Sequence, residues 1–337
     1  MTRRRELGRG RPRAIEERAF HRWLARTLPA GSSGRLPLGD DAAVVALPRG
    51  AVPVVTTDAL VEGIHFLPRS PPGLVGAAAS AVSLSDVAAK GASPIAVFLA
   101  VIVPRGTEQR WAEALVRGAE RTAARFGAHL LGGDTKPGPV KTVVSTVVGG
   151  APAHRLVGRT GARAGDVLGT TGVVGRGGVA ARRLAARRSA GTLAAMLRIE
   201  PRVREGVALA PFARAMLDTS DGLAESARLL AEASGVRLVL EESRLPLAPG
   251  LGRLPTRARR AAAFYGGDYE LLAAVPPERW AAAVRAVRRV GGRLTAIGRA
   301  EAGTGAFLNG RWKTVPLPPA GWRPFGAPAG GAARRER

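Results

Sequence analysis

Eight of the nine aspartates fall in short strings built from Gly, Ser, Thr and further Asp. The strings are GDDAAVV (39–45), TTDALVEGIHF (56–66), SLSDVAAKGASP (83–94), GGDT (132–135), LDTSDGL (217–223) and GGDYELL (266–272), with only Asp166 outside them. Carboxylates on small-residue segments suit hard cations, because Mg²⁺ takes oxygen ligands, keeps several waters and shares its shell with substrate phosphates. Four or five carboxylates within ~5 Å of one another repel by several kcal/mol per pair at an effective dielectric of about 20, so such a cluster requires compensating cations. Magnesium together with a nucleotide phosphate supplies them, and metal-dependent phosphate handling is the chemistry these residue types imply.

Each string also has a plainer reading. Gly39-Asp40-Asp41 is equally the composition of a simple turn. In TTDALVEGIHF a strand ending in Thr56, Thr57 and Asp58 presents three oxygen ligands at its C-terminal end, with His65 on a loop after Glu62 and Gly63. Asp86 interrupts a helical pattern, where an unpaired carboxylate is costly and a cation partner is the economical explanation. GGDT repeats the strand-then-loop design, and its two glycines let a phosphate or metal approach the backbone. Asp218 is expected at a strand end, with Ser220 or Asp221 capping the next helix.

The elements that must position these residues follow from periodicity. An amphipathic helix is expected over 14–28, strands over 42–47 and 52–57, a helix over 73–91, a strand over 95–103, a helix over 107–126, and strands near 128–131 and 140–148. A Pro- and Gly-containing stretch at 151–166 reads as a domain junction. Beyond it come a strand and turn over 166–172, helices over 176–188 and 202–214, a strand over 215–219 and a helix from Ser220. Strands at 236–240, 269–275 and 293–298 and a helix over 277–290 complete the pattern. The expected class is mixed α/β (α+β) in two domains, 15–150 and 151–326, between a basic arm (1–14) and a loose tail (327–337).

Composition narrows the function. The absence of cysteine removes disulfides, thiolate metal sites and cysteine nucleophiles together. No uncharged apolar run of 18 residues appears, so no membrane span is expected. The net charge of +25 invites a nucleic-acid reading. Only Lys90, Lys136, Lys141 and Lys313 are lysines, however, and the arginines recur on Ala-rich stretches such as 181–190 and 256–263 in the manner of solvated helix faces. Aromatic content of 4% is thin for base stacking, so nucleic acid is not the expected partner. GxxxxGK[ST], GxSxG and kinase catalytic-loop strings are missing, and TGVVGRGGVA (171–180) lacks GxGxxG spacing. No apolar signal segment follows the twin arginines near the N-terminus, which makes a cytoplasmic location the expectation.

In their order, GDDAAVV, TTDALVEGIHF, SLSDVAAKGASP, GGDTKPGP, LDTSDGL and GGDYELL resemble the thiamine-monophosphate kinases, a branch of the aminoimidazole-ribonucleotide (AIR)-synthetase-like superfamily. The likeness covers residues 15–325. It implies a two-domain AIR-synthetase-like fold whose N-terminal domain forms a β-barrel at a dimer interface. It also implies transfer of the γ-phosphoryl group of ATP to thiamine monophosphate by a Mg²⁺-dependent homodimer. By motif, Asp41, Thr56, Thr57, Asp58, Asp86, Asp134, Asp218 and Asp221 match metal-holding positions, with Asp58, Asp86, Asp134 and Asp218 central to catalysis. Gly133, Asp134, Arg159 and Ser220 match ATP-contacting positions, and His65, Gly267 and Trp322 match substrate-side positions.

Two residues depart from the pattern of that family. Gly267 stands where GEDYEL has its glutamate, and Ser83 replaces an asparagine before the LSD triplet. Relatives in the superfamily that need a reactive Cys do not fit a cysteine-free chain. An aminoimidazole ribonucleotide synthetase, separable by its acceptor, and an RNA-binding protein on a decayed kinase scaffold, separable by salt-dependent RNA retention, are the alternatives. The arm shows no apolar periodicity and can bury little, so deleting residues 1–13 is expected to leave the melting temperature within error; a large fall would mean that the arm docks on the fold.

Overall fold

The computed structural model describes residues 14–28, 41–187, 190–317 and 320–321, which form two compact units. The first comprises residues up to Val157 together with Arg183–Pro211, and the second comprises Gly158–Arg182 and the chain from Phe212 onward. Residues 1–13 of the basic arm, Asp40, Trp322 and the C-terminal tail lie outside the described residues.

In the first unit, β1 (Ala51–Val61), β2 (Ser93–Val103), β3 (His129–Pro137) and β4 (Thr142–Pro152) form one sheet in the order β1-β4-β2-β3. β1 and β2 flank β4 antiparallel, and β3 joins β2 in parallel through a crossover helix. Helices α2 (Pro72–Ala89) and α3 (Gln109–Ala124) cover one face of the sheet. They meet at glycines: a Cβ on Gly76 would stand 1.9 Å from the Leu115 carbonyl oxygen, and one on Gly118 would stand 2.0 Å from that of Gly73. The backbones touch at this crossing, which fixes where α2 lies over β1. Among the described residues α2 is the one helix long and apolar enough to cross a membrane, but 72% of that window is buried inside the fold, as a core helix requires. Helix α1 (Glu17–Thr27) is tied to the unit by an Ala14–Glu108 bridge and by Arg117 lying 5.0 Å over the Trp23 ring. The sheet is open within the single chain, so the expected barrel is not closed by these strands alone.

Several expected boundaries move. Residues 43–48 carry no strand pairing, and Ala42 and Ala43 instead line a cavity. GGDT lies within β3 rather than on a loop after it, and Asp58 lies within β1 rather than at its end. The expected helix over 202–214 is confined to Val203–Leu209, with Gly206 packed on the Ala88 carbonyl of α2.

The second unit holds a seven-stranded sheet. Its strands are β5 (Val167–Thr171), β6 (Ala215–Asp218), β7 (Arg237–Glu241), β8 (Leu271–Val275), β9 (Leu294–Glu301), β10 (Gly305–Asn309) and β11 (Thr314–Pro316), in the order β11-β10-β7-β9-β5-β8-β6. Leu168, Leu217, Leu223, Leu230, Leu238, Phe264, Leu272 and Ile297 form its core with helix α4 (Leu223–Ser234). Buried Asp166 takes bonds from Arg214 (2.9 Å) and the Arg163 N–H (2.8 Å), which identifies the one aspartate outside the motifs as a structural anchor.

Two further buried acids clamp the segment after β5. Asp268 accepts the N–H groups of Gly175 (2.6 Å) and Gly177 (2.9 Å) at the start of the helix Arg176–Arg187. It caps that helix from a distant loop, since the first N–H groups of a helix have no partner within it. Glu270 accepts from the Thr171 hydroxyl (2.8 Å) and the Val173 N–H (3.3 Å), and the carboxylate fills the space a side chain at Gly172 would need. The glycine-rich TGVVGRGGVA is therefore occupied by the protein's own carboxylates. Burial pushes the Asp268 carboxyl up to about 6, against the two N–H bonds that pull it down. Its folded-state value exceeds the ordinary 3.8, so between 3.8 and about 6 the folded protein binds more protons than the unfolded chain and stability falls as pH rises. Asp268→Asn is expected to remove this slope, leaving a pH-independent loss from an amide facing an N–H; urea midpoints of both proteins across pH 4–7 check it, and parallel profiles would contradict it.

Candidate functional site

Side chains alternate along β1, and the alternation divides TTD. Thr56 and Asp58 face α2, whereas Thr57 faces the opposite side of the sheet, where its hydroxyl meets that of Thr146 at 3.0 Å. The expected trio of ligands on one strand end is thus a pair, Thr56 and Asp58, completed from the helix. The Thr56 hydroxyl donates to Asp86 Oδ2 at 2.6 Å, and the Ser83 hydroxyl lies 2.8 Å from Asp58 Oδ2 and 3.1 Å from the Ser145 carbonyl. Burial and the facing Asp86 charge push the Asp58 carboxyl above its ordinary value, and the Ser83 bond offsets only part of this. Ser145 pairs directly with Asp58 across the strands, and its hydroxyl is buried with no hydrogen-bond partner. Two carboxylates bonded by neutral hydroxyls, beside an orphaned hydroxyl, form an all-oxygen donor set that fits Mg²⁺.

Asp134 does not join them in this unit. It projects from β3, at the opposite edge of the sheet from β1 and on the other face, three strand spacings or about 14 Å away. Exposed Asp134 accepts from Lys136 Nζ and the Thr135 N–H, both at 2.8 Å, and the Lys136 bond holds its carboxyl below the ordinary value. With Asp41 and Gly133 it lines a cavity of about 520 Å³ whose walls include Phe20, His21 and Leu24 of α1, Phe98 of β2 and Val116 of α3. Gly133 is required there by close approach, since a Cβ would stand 1.9 Å from the Leu99 carbonyl oxygen. A cavity of this size, with apolar side chains on some walls and Asp41, His21, Asp134 and Thr135 on others, has the dimensions of a small-molecule site. Sequence reading assigned α1 no part in a site; its amphipathic pattern was the available signal.

His65 follows β1 in a turn, and its Nδ1 accepts the Val61 N–H at 3.1 Å, which leaves the ring proton on Nε2. Desolvation holds its imidazole below the ordinary value. Neighbouring Glu62 is engaged by Lys141 at 2.7 Å.

In the second unit LDTSDGL forms the turn between β6 and α4. Asp218 ends β6 and accepts from the Ser220 hydroxyl at 2.9 Å, while its carbonyl takes the Ser226 hydroxyl at 2.8 Å. The expected capping by Ser220 or Asp221 is not formed, because Gly222, at φ +103°, occupies the cap position without a side-chain bond. This frees Ser220 for Asp218. The buried Thr219 locks the turn to Glu270: its N–H donates to the Glu270 carbonyl at 2.8 Å, and its hydroxyl accepts the Glu270 N–H at 3.0 Å. Gly267 N–H donates to the Ser220 carbonyl at 2.7 Å, and Gly321 packs against the Asp221 carbonyl. Gly267 is left-handed (φ +77°), so a glutamate there would meet the Gly177 Cα at an ordinary 3.7 Å but on a strained backbone. Arg159 is exposed, and its carbonyl accepts the Ser234 hydroxyl. Among the described residues no three His, Asp or Glu side chains gather closely enough to hold a metal ion; the motif acids stand instead as Asp58 facing Asp86, Asp41 and Asp134 on one cavity, and Asp218 and Asp221 on one turn.

The geometry has close counterparts. Residues 39–151 match the family model of the AIR synthase related protein N-terminal domain, and residues 163–310 match that of the C-terminal domain. The chain is 38% identical over 302 residues to the thiamine-monophosphate kinase of Caulobacter vibrioides, covering 86% of this chain and 85% of that one. It is 38% identical over 275 residues to that of Halobacterium salinarum, covering 81% and 91%. Among solved structures, the thiamine-monophosphate kinase of Stenotrophomonas maltophilia K279a superposes with a TM-score of 0.74 at 32% identity, over 81% of this chain and 90% of the other. AaThiL complexed with AMPPCP and TMP superposes with a TM-score of 0.71 at 30% identity, over 84% and 90%. Both domain models and full-length relatives agree, and the chain belongs to the AIR synthase related proteins and, within them, to the thiamine-monophosphate kinase family.

Proposed function

We propose that this chain transfers the γ-phosphoryl group of ATP directly to the phosphate of thiamine monophosphate, giving thiamine diphosphate. The observation that carries the reading is the Asp58–Asp86 pair, an oxygen-only donor set, in a chain akin to a kinase solved with AMPPCP and TMP. A phosphate monoester is largely ionised near neutral pH, with second pKa about 6, so it attacks without a protein base. Bound Mg²⁺ would neutralise the phosphate oxygens and align the two groups, which is the main catalytic demand of phosphoryl transfer.

The residues divide that work as follows. Asp58 and Asp86 of the first unit, and Asp218 with Asp221 of the second, hold the cations, while Ser83 and Thr56 keep the first pair oriented. Asp41 and Asp134 add carboxylates at the mouth of the α1–β3 cavity, which takes the nucleotide base, and Gly133 lets the phosphates approach the strand. Arg159 and Ser220 contact the nucleotide, and His65, Gly267 and Trp322 face the acceptor. A chain without cysteine, whose His65 Nδ1 is already occupied, favours direct transfer over a covalent intermediate.

The reading extends to a cytoplasmic homodimer. The sheet face away from α2 and α3 presents Val55, 61% exposed, with Ala59, Val144 and Val148 beside it, and a second copy closing a barrel over that face would bury them. A coupled ADP-release assay with Mg²⁺ is expected to show turnover with thiamine monophosphate and none with formylglycinamidine ribonucleotide. Asp58→Asn or Asp218→Asn should lower kcat by about 10²–10³-fold, as loss of a preorganised charge does. Turnover with the ribonucleotide alone, or near-normal kcat in both variants, would overturn the assignment.

A further inference from the structure

We propose that Tyr269 is a specificity-determining residue whose ring contacts the aromatic, cationic part of the acceptor. Tyr269 has φ +55°, and every other left-handed residue among the described residues is a glycine, nineteen in all. Where only backbone geometry is needed, this chain therefore uses Gly, which adopts that region without a steric penalty. A bulky side chain held there stores strain, and such strain concentrates at functional sites. The surroundings over-determine the conformation: Asp268 and Glu270 on either side are buried and bonded to the 171–177 segment, while Tyr269 itself is half-exposed.

The same loop reaches the phosphate-side turn. Gly267 N–H bonds the Ser220 carbonyl, and a Cβ on Gly266 would stand 3.0 Å from that oxygen, so the two loops move as one body. The backbone on both sides of Tyr269 is thus bonded to the turn that carries Asp218 and Ser220. An aromatic face attracts a cation and stacks on a flat ring, and the acceptor in the proposed reaction carries both a fixed positive thiazolium and a pyrimidine.

The inference rests on the kinase reading, and the experiment separates the two. Wild-type turnover with thiamine monophosphate tests the reading itself, and its failure counts against that reading. In the active enzyme, Tyr269→Gly and Tyr269→Leu are expected to raise KM for the acceptor about tenfold while KM for ATP stays within about twofold, and Tyr269→Phe should keep both near wild type. Tyr269→Gly should also melt at or above the wild-type temperature, because glycine relieves the strain. An unchanged acceptor KM in Tyr269→Gly and Tyr269→Leu, an equal rise in both KM values, or a clear fall in the melting temperature of Tyr269→Gly would show that the ring serves packing alone and would overturn the proposal.

Discussion

Holding Asp58 and Asp86 against each other is the costly interaction in the first unit, and much of that unit exists to enforce it. Like charges repel, and burial makes the ionised Asp58 carboxyl more expensive still. The helix α2 cannot move away from β1, because glycine contacts at Gly76 and Gly118 lock it to α3 and Gly206 abuts its C-terminal end. The Ser83 and Thr56 hydroxyls then orient the two carboxylates without neutralising them. Such an arrangement is stable only if the surrounding packing sustains it, and it is useful only if a cation arrives.

The second unit solves a different problem with the same residue type. Asp268 and Glu270 are buried and satisfied by backbone N–H groups and a threonine hydroxyl, so they serve as fixed struts rather than ligands. They tie the glycine-rich 171–177 segment to the loop that carries Gly267 and Tyr269, and Thr219 ties that loop to Asp218. One type of side chain thus makes a charged pair in one unit and a scaffold in the other, and the local supply of N–H donors decides which.

The motif order and the mixed α/β class were legible in the sequence, because Gly, Ser, Thr and Asp strings punctuate strands and helices at recognisable places. Three features were not. Alternation along β1 separates Thr57 from Asp58, but the face that each occupies depends on where α2 packs, which period-two reading alone leaves open. Asp268 looked like the other motif acids, and only the distant glycines at 175 and 177 make it a helix cap. The cavity beside Gly133 is walled in part by α1, more than 100 residues earlier in the chain, so nothing local to GGDT announces it. The strand expected over 42–47 does not form either: Ala42 and Ala43 line that cavity, and residues 43–48 pair with no strand.

The central claim is that the Asp58–Asp86 pair is a cation site whose mutual repulsion is relieved by Mg²⁺. Melting temperatures of wild type and Asp86→Asn across a Mg²⁺ titration test it directly, since a ligand that binds only the folded state stabilises it in proportion to occupancy. The account predicts that Asp86→Asn melts higher than wild type without metal, and that Mg²⁺ raises the wild-type melting temperature but has little effect on the variant. Equal shifts in the two proteins, or none in either at millimolar Mg²⁺, would contradict it.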